Sequence, residues 1–262
     1  MDTVLVAIFL FVLGAGVGSF ISTLTHRVLI KQSIWRGFSR CDKCRHRLGG
    51  IELVPIIGWL FARGRCRHCG IKISIESLIV EIITAILFAA SYLLWPNGTV
   101  LSLTFWLIIV SGFVCLALFD FKTKRLPNKI IYPILIVAAV FWLVSTILAG
   151  QLAEPGAWLE LLLAMLPLAG VYGLIFLISH GKLVGLGDVK LGLIIGFLLP
   201  WQGAVAVLLL ANLLALPFAI VPTHNKKHPK KIPLAPFLII ATIIVFLARD
   251  VILNLFQNPG LF

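Results

Sequence analysis

Charge is scarce in this sequence. Only 12% of its 262 residues are Asp, Glu, Lys or Arg, about half the share of an ordinary soluble domain. Acidic residues are the scarcest, 10 against 22 basic ones. So little charge excludes a disordered chain and a charge-laced coiled coil. No internal repeat or low-complexity tract occurs. There is no Gly-x-Ser-x-Gly elbow, and the histidines fall in loops, so a Ser-His-Asp or Cys-His reading has little support. There is no Gly-x-Gly-x-x-Gly dinucleotide fingerprint either. No basic stretch precedes the first apolar run: the one charged residue before Val4 is Asp2. That run therefore reads as a retained membrane span and not as a cleaved signal.

Apolar runs are what the sequence has in abundance. Hydrophobic residues make up 60% of it, and mean hydropathy is +1.09. At about 20 residues per span, run length predicts eight spans. They lie at Val4–Leu24, Leu78–Trp95, Val100–Phe119, Ile130–Leu148, Leu159–Ser179, Val189–Leu199, Ala204–Pro222 and Ile232–Leu247. The sixth is short and starts between Asp188 and Lys190. The expected fold is therefore an all-α polytopic membrane protein, divided into a first span at 1–24, a polar segment at 25–77 and a seven-helix membrane part at 78–262.

The basic residues test that span count. Loops 25–77, 120–129, 180–190 and 223–231 hold 21 of the 22 Lys and Arg; the opposite loops hold only Arg249. A wrong count would scramble this partition. The positive-inside rule places the basic loops in the cytoplasm and both termini outside. A net charge of +12 then reflects membrane orientation and anionic headgroups, not nucleic acid. The run Lys226–Lys231 reads as a solvated loop near those headgroups.

The 25–77 segment carries Cys41-x2-Cys44 and Cys66-x2-Cys69, with 21 residues between the pairs. Each pair can present two thiolates to one tetrahedral ion, which makes this spacing a zinc signature. Arg40, Lys43, Arg65 and Arg67 help keep the thiols ionised. Four thiolates leave no open coordination position, so the metal would be structural. An iron site in its place and a pair of disulfides are the alternatives, and a reducing cytoplasm opposes the second. His46 and His68 read as surface residues beside the cysteines. Cys115, inside the third span, reads as a small apolar filler.

Four acidic residues lie in or at the ends of spans: Glu81, Asp120, Glu160 and Asp188. Asp120 ends the third span and Asp188 opens the sixth, both at the cytoplasmic boundary. Two carboxylates brought close together share a proton, and one then serves as base while the other serves as acid. Such a pair activates water against a peptide bond without a covalent intermediate. The plainer readings are that Asp188 caps its helix and that Asp120 pairs with Lys124 at the interface.

The same residues resemble a known family. Gly185-x-Gly187-Asp188, followed by Val189-Lys190-Leu191, is similar to the second catalytic motif of the type IV prepilin peptidases, which are GxGD-type intramembrane aspartyl proteases. Asp120, seven residues before Pro127-Asn128, is similar to the first. The paired cysteines resemble the family's bacterial cytoplasmic domain, as do Leu53-Val54-Pro55-Ile56-Ile57-Gly58-Trp59-Leu60 and Arg63-Gly64-Arg65-Cys66. Gly14-x3-Gly18-Ser19-Phe20, Leu78-Ile79-Val80-Glu81 and Ile232-Pro233-Leu234-Ala235-Pro236-Phe237 continue the likeness in the family's order. The chain departs from the family pattern at Ser22, Val28-Leu29 and Glu76-Ser77-Leu78.

The resemblance implies a bacterial enzyme of the cytoplasmic (inner) membrane. Its implied partners are prepilins of type IV pili or pseudopilins of type II secretion. It would cleave their basic leader on the cytoplasmic side after a glycine, with Asp120 and Asp188 as the catalytic pair. Cys41, Cys44, Cys66 and Cys69 would bind zinc. S-adenosylmethionine would supply a methyl group for the new N-terminal amine, with Gly64 in the segment associated with that step. Three other readings compete: a peptidase without the methyltransferase, a proton-coupled transporter using the aspartates as a relay, and a membrane-anchored zinc adaptor.

Overall fold

The protein is described from a computed structural model, which covers residues 2–33, 38–41, 43–95, 99–220 and 233–249. Among these residues the chain is all-α, apart from two isolated bridges, Arg40 to Arg47 and Arg65 to Lys72. This is the all-α polytopic membrane fold that the apolar runs call for. A chain inside hydrocarbon must hydrogen-bond its backbone within the segment, and a helix does so.

Six helices are long and apolar enough to cross a membrane: Thr3–Leu29, Ile75–Leu93, Val100–Thr123, Asn128–Leu148, Pro155–Ser179 and Trp201–Phe218. The predicted sixth and eighth spans form shorter helices of 13 residues each, Leu186–Leu198 and Ala235–Leu247. Ile232, the Lys226–Lys231 run and most of the 248–262 segment lie outside the described residues.

The chain divides into two compact units, Met1–Gly98 and Thr99–Phe262. In the first, helix α1 (Asp2–Leu29) packs along α3 (Ile75–Leu93). Gly14 and Gly18 make that contact close. A methyl group at Gly14 would lie 2.7 Å from the Thr84 carbonyl oxygen, and one at Gly18 would lie 2.7 Å from Cα of Glu81. In lipid, where apolar burial does not drive helices together, such small-residue faces supply the van der Waals contact. Between α1 and α3 runs the cysteine segment, which contains the short helix α2 (Ile57–Phe61).

The second unit is a bundle of α4 (Val100–Thr123), α5 (Asn128–Leu148), α6 (Pro155–Met165), α7 (Val171–Ser179), α8 (Leu186–Leu198), α9 (Trp201–Ile220) and α10 (Ala235–Leu247). A π-turn over Leu166–Gly170 joins α6 to α7; Pro167 lacks the N–H that would continue the α ladder there. Against this turn sits the glycine face of α8. A methyl at Gly192 would fall 2.7 Å from the Ala169 amide nitrogen, and one at Gly196 would fall 2.8 Å from Cγ of Met165. Trp106 of α4 stacks flat on Phe246 of α10, with ring centroids 3.7 Å apart.

Five hydroxyl groups in the helices find partners within their own turn, whereas the buried Thr25 hydroxyl of α1 does not. Thr84, Ser91, Ser111, Thr146 and Thr242 each donate to the carbonyl four residues earlier, at 2.6 to 2.8 Å. A hydrocarbon surrounding offers no water, so this back-bonding spares each hydroxyl the cost of burial without a partner.

Candidate active site and cysteine cluster

Asp120 lies in the last turn of α4 and is 6% exposed. Lys124 caps that helix in the left-handed conformation, with φ 52, and its amide donates to the Asp120 carbonyl at 2.8 Å. The Asp120 carboxylate faces the backbone of Ala235, the first residue of α10. It therefore sits at a helix N-terminus, where free amides and the helix dipole favour an anion.

Asp188 is the third residue of α8. Its Oδ2 accepts from the Gly185 amide at 3.2 Å, and its own amide donates to the Gly185 carbonyl at 3.1 Å. Asp188 is therefore not the N-cap of its helix: Gly185 holds that position, and Asp188 lies three residues in. The same carboxylate lies within the electrostatic reach of Asp120. Two acidic groups 68 positions apart in sequence thus share one end of the bundle.

Two contacts hold the helices that carry them. Gly187 leaves space for Leu126, in the turn after α4: a methyl at Gly187 would meet Leu126 Cδ1 at 2.9 Å and Cβ at 3.0 Å. Lys190 Nζ donates to Asn128 Oδ1 at 2.7 Å and to the Tyr132 hydroxyl at 3.0 Å, and lies 4.5 Å above the Tyr132 ring. The first turn of α8 is in this way fastened to the connection between α4 and α5. From the other side, a methyl at Gly173 of α7 would lie 3.7 Å from Val189 Cγ1. Its neighbour Tyr172 is buried, accepts from Asn212 Nδ2 at 3.4 Å, and interacts electrostatically with Asp188.

In the sequence Lys190 and Asn128 stand out only as neighbours of the two aspartate motifs, and Tyr132, Tyr172 and Asn212 do not stand out as site residues. A polar residue in an apolar run was the signal at Asn212. Glu81 was read as a span-end residue, yet it is 7% exposed and its Oε2 accepts from the Ile56 amide at 2.7 Å. Ile56 has φ 64, a costly region for a β-branched residue, and the carboxylate anchors it there. Glu160 is exposed, and Cys115 is buried within α4.

In the first unit the four cysteines meet. Cys41 Sγ lies 3.7 Å from Cys69 Sγ, Cys44 Sγ lies 3.9 Å from Cys66 Sγ, and all four sulfurs lie within 4.8 Å of one another. Four sulfurs bonded at about 2.3 Å to a tetrahedral ion stand about 3.8 Å apart, so the cluster has the spacing of a metal site. Disulfide sulfurs would stand at about 2.05 Å, and all four thiols are free.

Each pair is built in the same way. The Cys41 amide donates to the His46 carbonyl at 2.9 Å and the Cys66 amide to the Ile71 carbonyl at 2.8 Å. The residue after each second cysteine is left-handed, Arg45 with φ 54 and Gly70 with φ 70. The amides of Cys44 and Lys43 draw the Cys41 thiol down to about 7, whereas desolvation and the neighbouring sulfurs push Cys44 up to about 12. His46 and His68, the expected surface residues, are exposed and stack on each other with centroids 4.9 Å apart.

The two units match two family models. Residues 12–95 match the bacterial peptidase A24 N-terminal domain, and residues 107–220 match the type IV leader peptidase family. The chain is 31% identical over 257 residues to a prepilin leader peptidase/N-methyltransferase of Bacillus subtilis (strain 168), covering 96% of this chain and 98% of that protein. The chain belongs to the type IV leader peptidase family. A protein of the same name from Dichelobacter nodosus is 30% identical over 261 residues, 88% of this chain and 87% of its own. Another, from Myxococcus xanthus (strain DK1622), is 35% identical over 210 residues, 80% of this chain and 61% of its own. No solved structure matches. Asp120 and Asp188 both fall within the stretch matched by the leader peptidase family, and all four cysteines fall within the stretch matched by the N-terminal domain.

Proposed function

We propose that this chain cleaves the leader peptide of type IV prepilins or pseudopilins with Asp120 and Asp188 as its catalytic pair, and that it methylates the N-terminus so released. The observation that carries the reading is the placement of these two carboxylates at one end of the bundle, within electrostatic reach of each other. One ionised carboxylate takes a proton from water as the water attacks the scissile carbonyl. The other, protonated, gives its proton to the departing amine. The amide of Gly185 orients Asp188, and the start of α10 at Ala235 faces Asp120. Catalysis gains from such preorganisation because nothing needs to reorient in the transition state.

The basic loops support an orientation with the cysteine segment and both aspartates at the cytoplasmic face of a bacterial inner membrane. The substrate's apolar helix would lie in the bilayer, with its leader at that face. The cysteine cluster fits zinc: Cys41, Cys44, Cys66 and Cys69 would hold it and leave no open position, so its contribution is structural. S-adenosylmethionine supplies the methyl group of the second activity.

The test is the intact mass of a prepilin incubated with purified enzyme and S-adenosylmethionine. Loss of the leader with a gain of about 14 Da, a methyl replacing a hydrogen, is the expected result. Asp120→Asn and Asp188→Asn should each abolish cleavage while the protein remains folded. Cleavage by either folded variant would overturn the catalytic assignment.

A further inference from the structure

Two close approaches fix the register of α7 and its π-turn against α8. A methyl at Gly173 would lie 3.7 Å from Val189 Cγ1, and one at Gly192 would lie 2.7 Å from the Ala169 amide nitrogen. Residue 173 thus stands beside 189 and residue 169 beside 192. The two elements run antiparallel, and Tyr172 lies within about one helical turn of Asp188. Its side chain is 4% exposed and interacts electrostatically with that carboxylate.

Asn212 of α9 decides what the Tyr172 hydroxyl does. Its Nδ2 donates to the Leu208 carbonyl at 2.7 Å and to the Tyr172 oxygen at 3.4 Å, which uses both hydrogens of the amide. The reverse orientation would set the amide oxygen against the Leu208 carbonyl oxygen, so this one is fixed. The phenol oxygen therefore accepts, and its own hydrogen is left to donate elsewhere. Among the described residues the hydroxyl makes no other hydrogen bond. Asp188 offers the matching acceptor: Oδ2 takes the Gly185 amide, and Oδ1 has no partner among the described residues. Packing does not account for Asn212. It is exposed on a helix of the membrane bundle, where an amide is costly and marks a function.

We propose that Tyr172 is a positioning residue for Asp188: its hydroxyl donates to the Asp188 carboxylate through one water, and Asn212 keeps it turned to that task. This role rests on the reading of Asp120 and Asp188 as the catalytic pair. A single water bridges two such groups at small entropic cost. The α7 side thereby supplies a second donor to a carboxylate that otherwise has the Gly185 amide. Proton transfer to or from a substrate depends on a carboxyl group held in one direction. Tyr172 keeps its own proton throughout; the protons exchanged are those of the aspartates, the attacking water and the leaving amine.

Steady-state kinetics of leader cleavage by the full chain in detergent test this. Tyr172→Phe retains the ring, and Asn212 keeps its bond to Leu208. In this variant kcat should fall about tenfold, the effect of one hydrogen bond, with KM unchanged. Asn212→Leu should also lower kcat alone. The double variant should be no slower than Tyr172→Phe, because Asn212 acts only through the hydroxyl. Wild-type kcat in folded Tyr172→Phe would overturn the proposal, as would a change confined to KM or losses that multiply in the double variant. If Tyr172→Phe does not fold, Asn212→Leu decides: a loss in kcat alone supports the role, and wild-type kcat overturns it. Asp120→Asn and Asp188→Asn run alongside distinguish the two failures. Inactive aspartate variants beside a fully active Tyr172→Phe overturn this role alone, whereas an active aspartate variant overturns the catalytic pair and this role with it.

Discussion

Lys190 of α8 and Asn128 of α5 are joined by a 2.7 Å hydrogen bond from Nζ to Oδ1, two residues from Asp188 and eight from Asp120. The bond ties α8, which carries Asp188, to the start of α5, just beyond the turn that follows α4 and Asp120. A misplacement of about 1 Å in such a site can cost on the order of a hundredfold in rate.

Lys190→Met is therefore expected to lower kcat for leader cleavage by tenfold or more, roughly, with KM little changed. Asn128→Ala should produce a similar loss. The double variant should be no worse than the poorer single one, because both remove the same tie. Steady-state kinetics on a prepilin peptide in detergent measure all three. A rise in KM alone would assign Lys190 to substrate binding instead of positioning.

Gly187 faces Leu126, so a side chain there competes for occupied space. Gly187→Ala should reduce cleavage, since a methyl would lie 2.9 Å from Leu126 Cδ1. Trimming the obstacle with Leu126→Ala in the same chain should restore part of the lost activity. Initial rates of the single and double variants decide it; absence of any rescue would show that Gly187 is needed for another reason.

Metal content follows from the sulfur geometry. Purified protein should contain about one zinc per chain, and Cys66→Ser should lose it. Because binding of a structural metal is coupled to the folding of its loop, the same variant should become sensitive to protease within the 38–72 segment. Elemental analysis and limited proteolysis with mass mapping provide the readouts. Zinc at the wild-type level in Cys66→Ser would exclude the four-sulfur site.

The Glu81 carboxylate is the anchor of a strained loop. Glu81→Ala should destabilise the first unit by about 1–3 kcal/mol, the range for leaving a buried partner unsatisfied. Glu81→Gln retains an acceptor for the Ile56 amide and should cost less. Thermal unfolding of the purified variants, followed by tryptophan fluorescence because Trp59 lies in the anchored segment, separates the two.

Much of the protein could be read directly from its sequence. Apolar runs of span length become helices because hydrocarbon leaves the backbone no other partner than itself. That is a local constraint, and it locates α1, α3, α4, α5 and α9 to within a few residues. The cysteine spacing is local too: within each Cys-x2-Cys pair the turn that gathers the sulfurs is formed by neighbouring residues. The Gly-x-Gly-Asp motif marked Asp188 for the same reason, since the helix cap it builds involves only residues 185–188.

Tertiary structure decided the rest. Asn128 and Lys190 meet across 62 positions, Glu81 and Ile56 across 25, and Tyr172 and Asn212 across 40. No periodicity encodes these polar ties, because each depends on how closely two helices approach and in which register. Glycine faces at Gly14, Gly18, Gly192 and Gly196 set that approach. The length of a run determined that a helix would form, whereas the packing of one helix on another determined which of its few polar groups would face a partner.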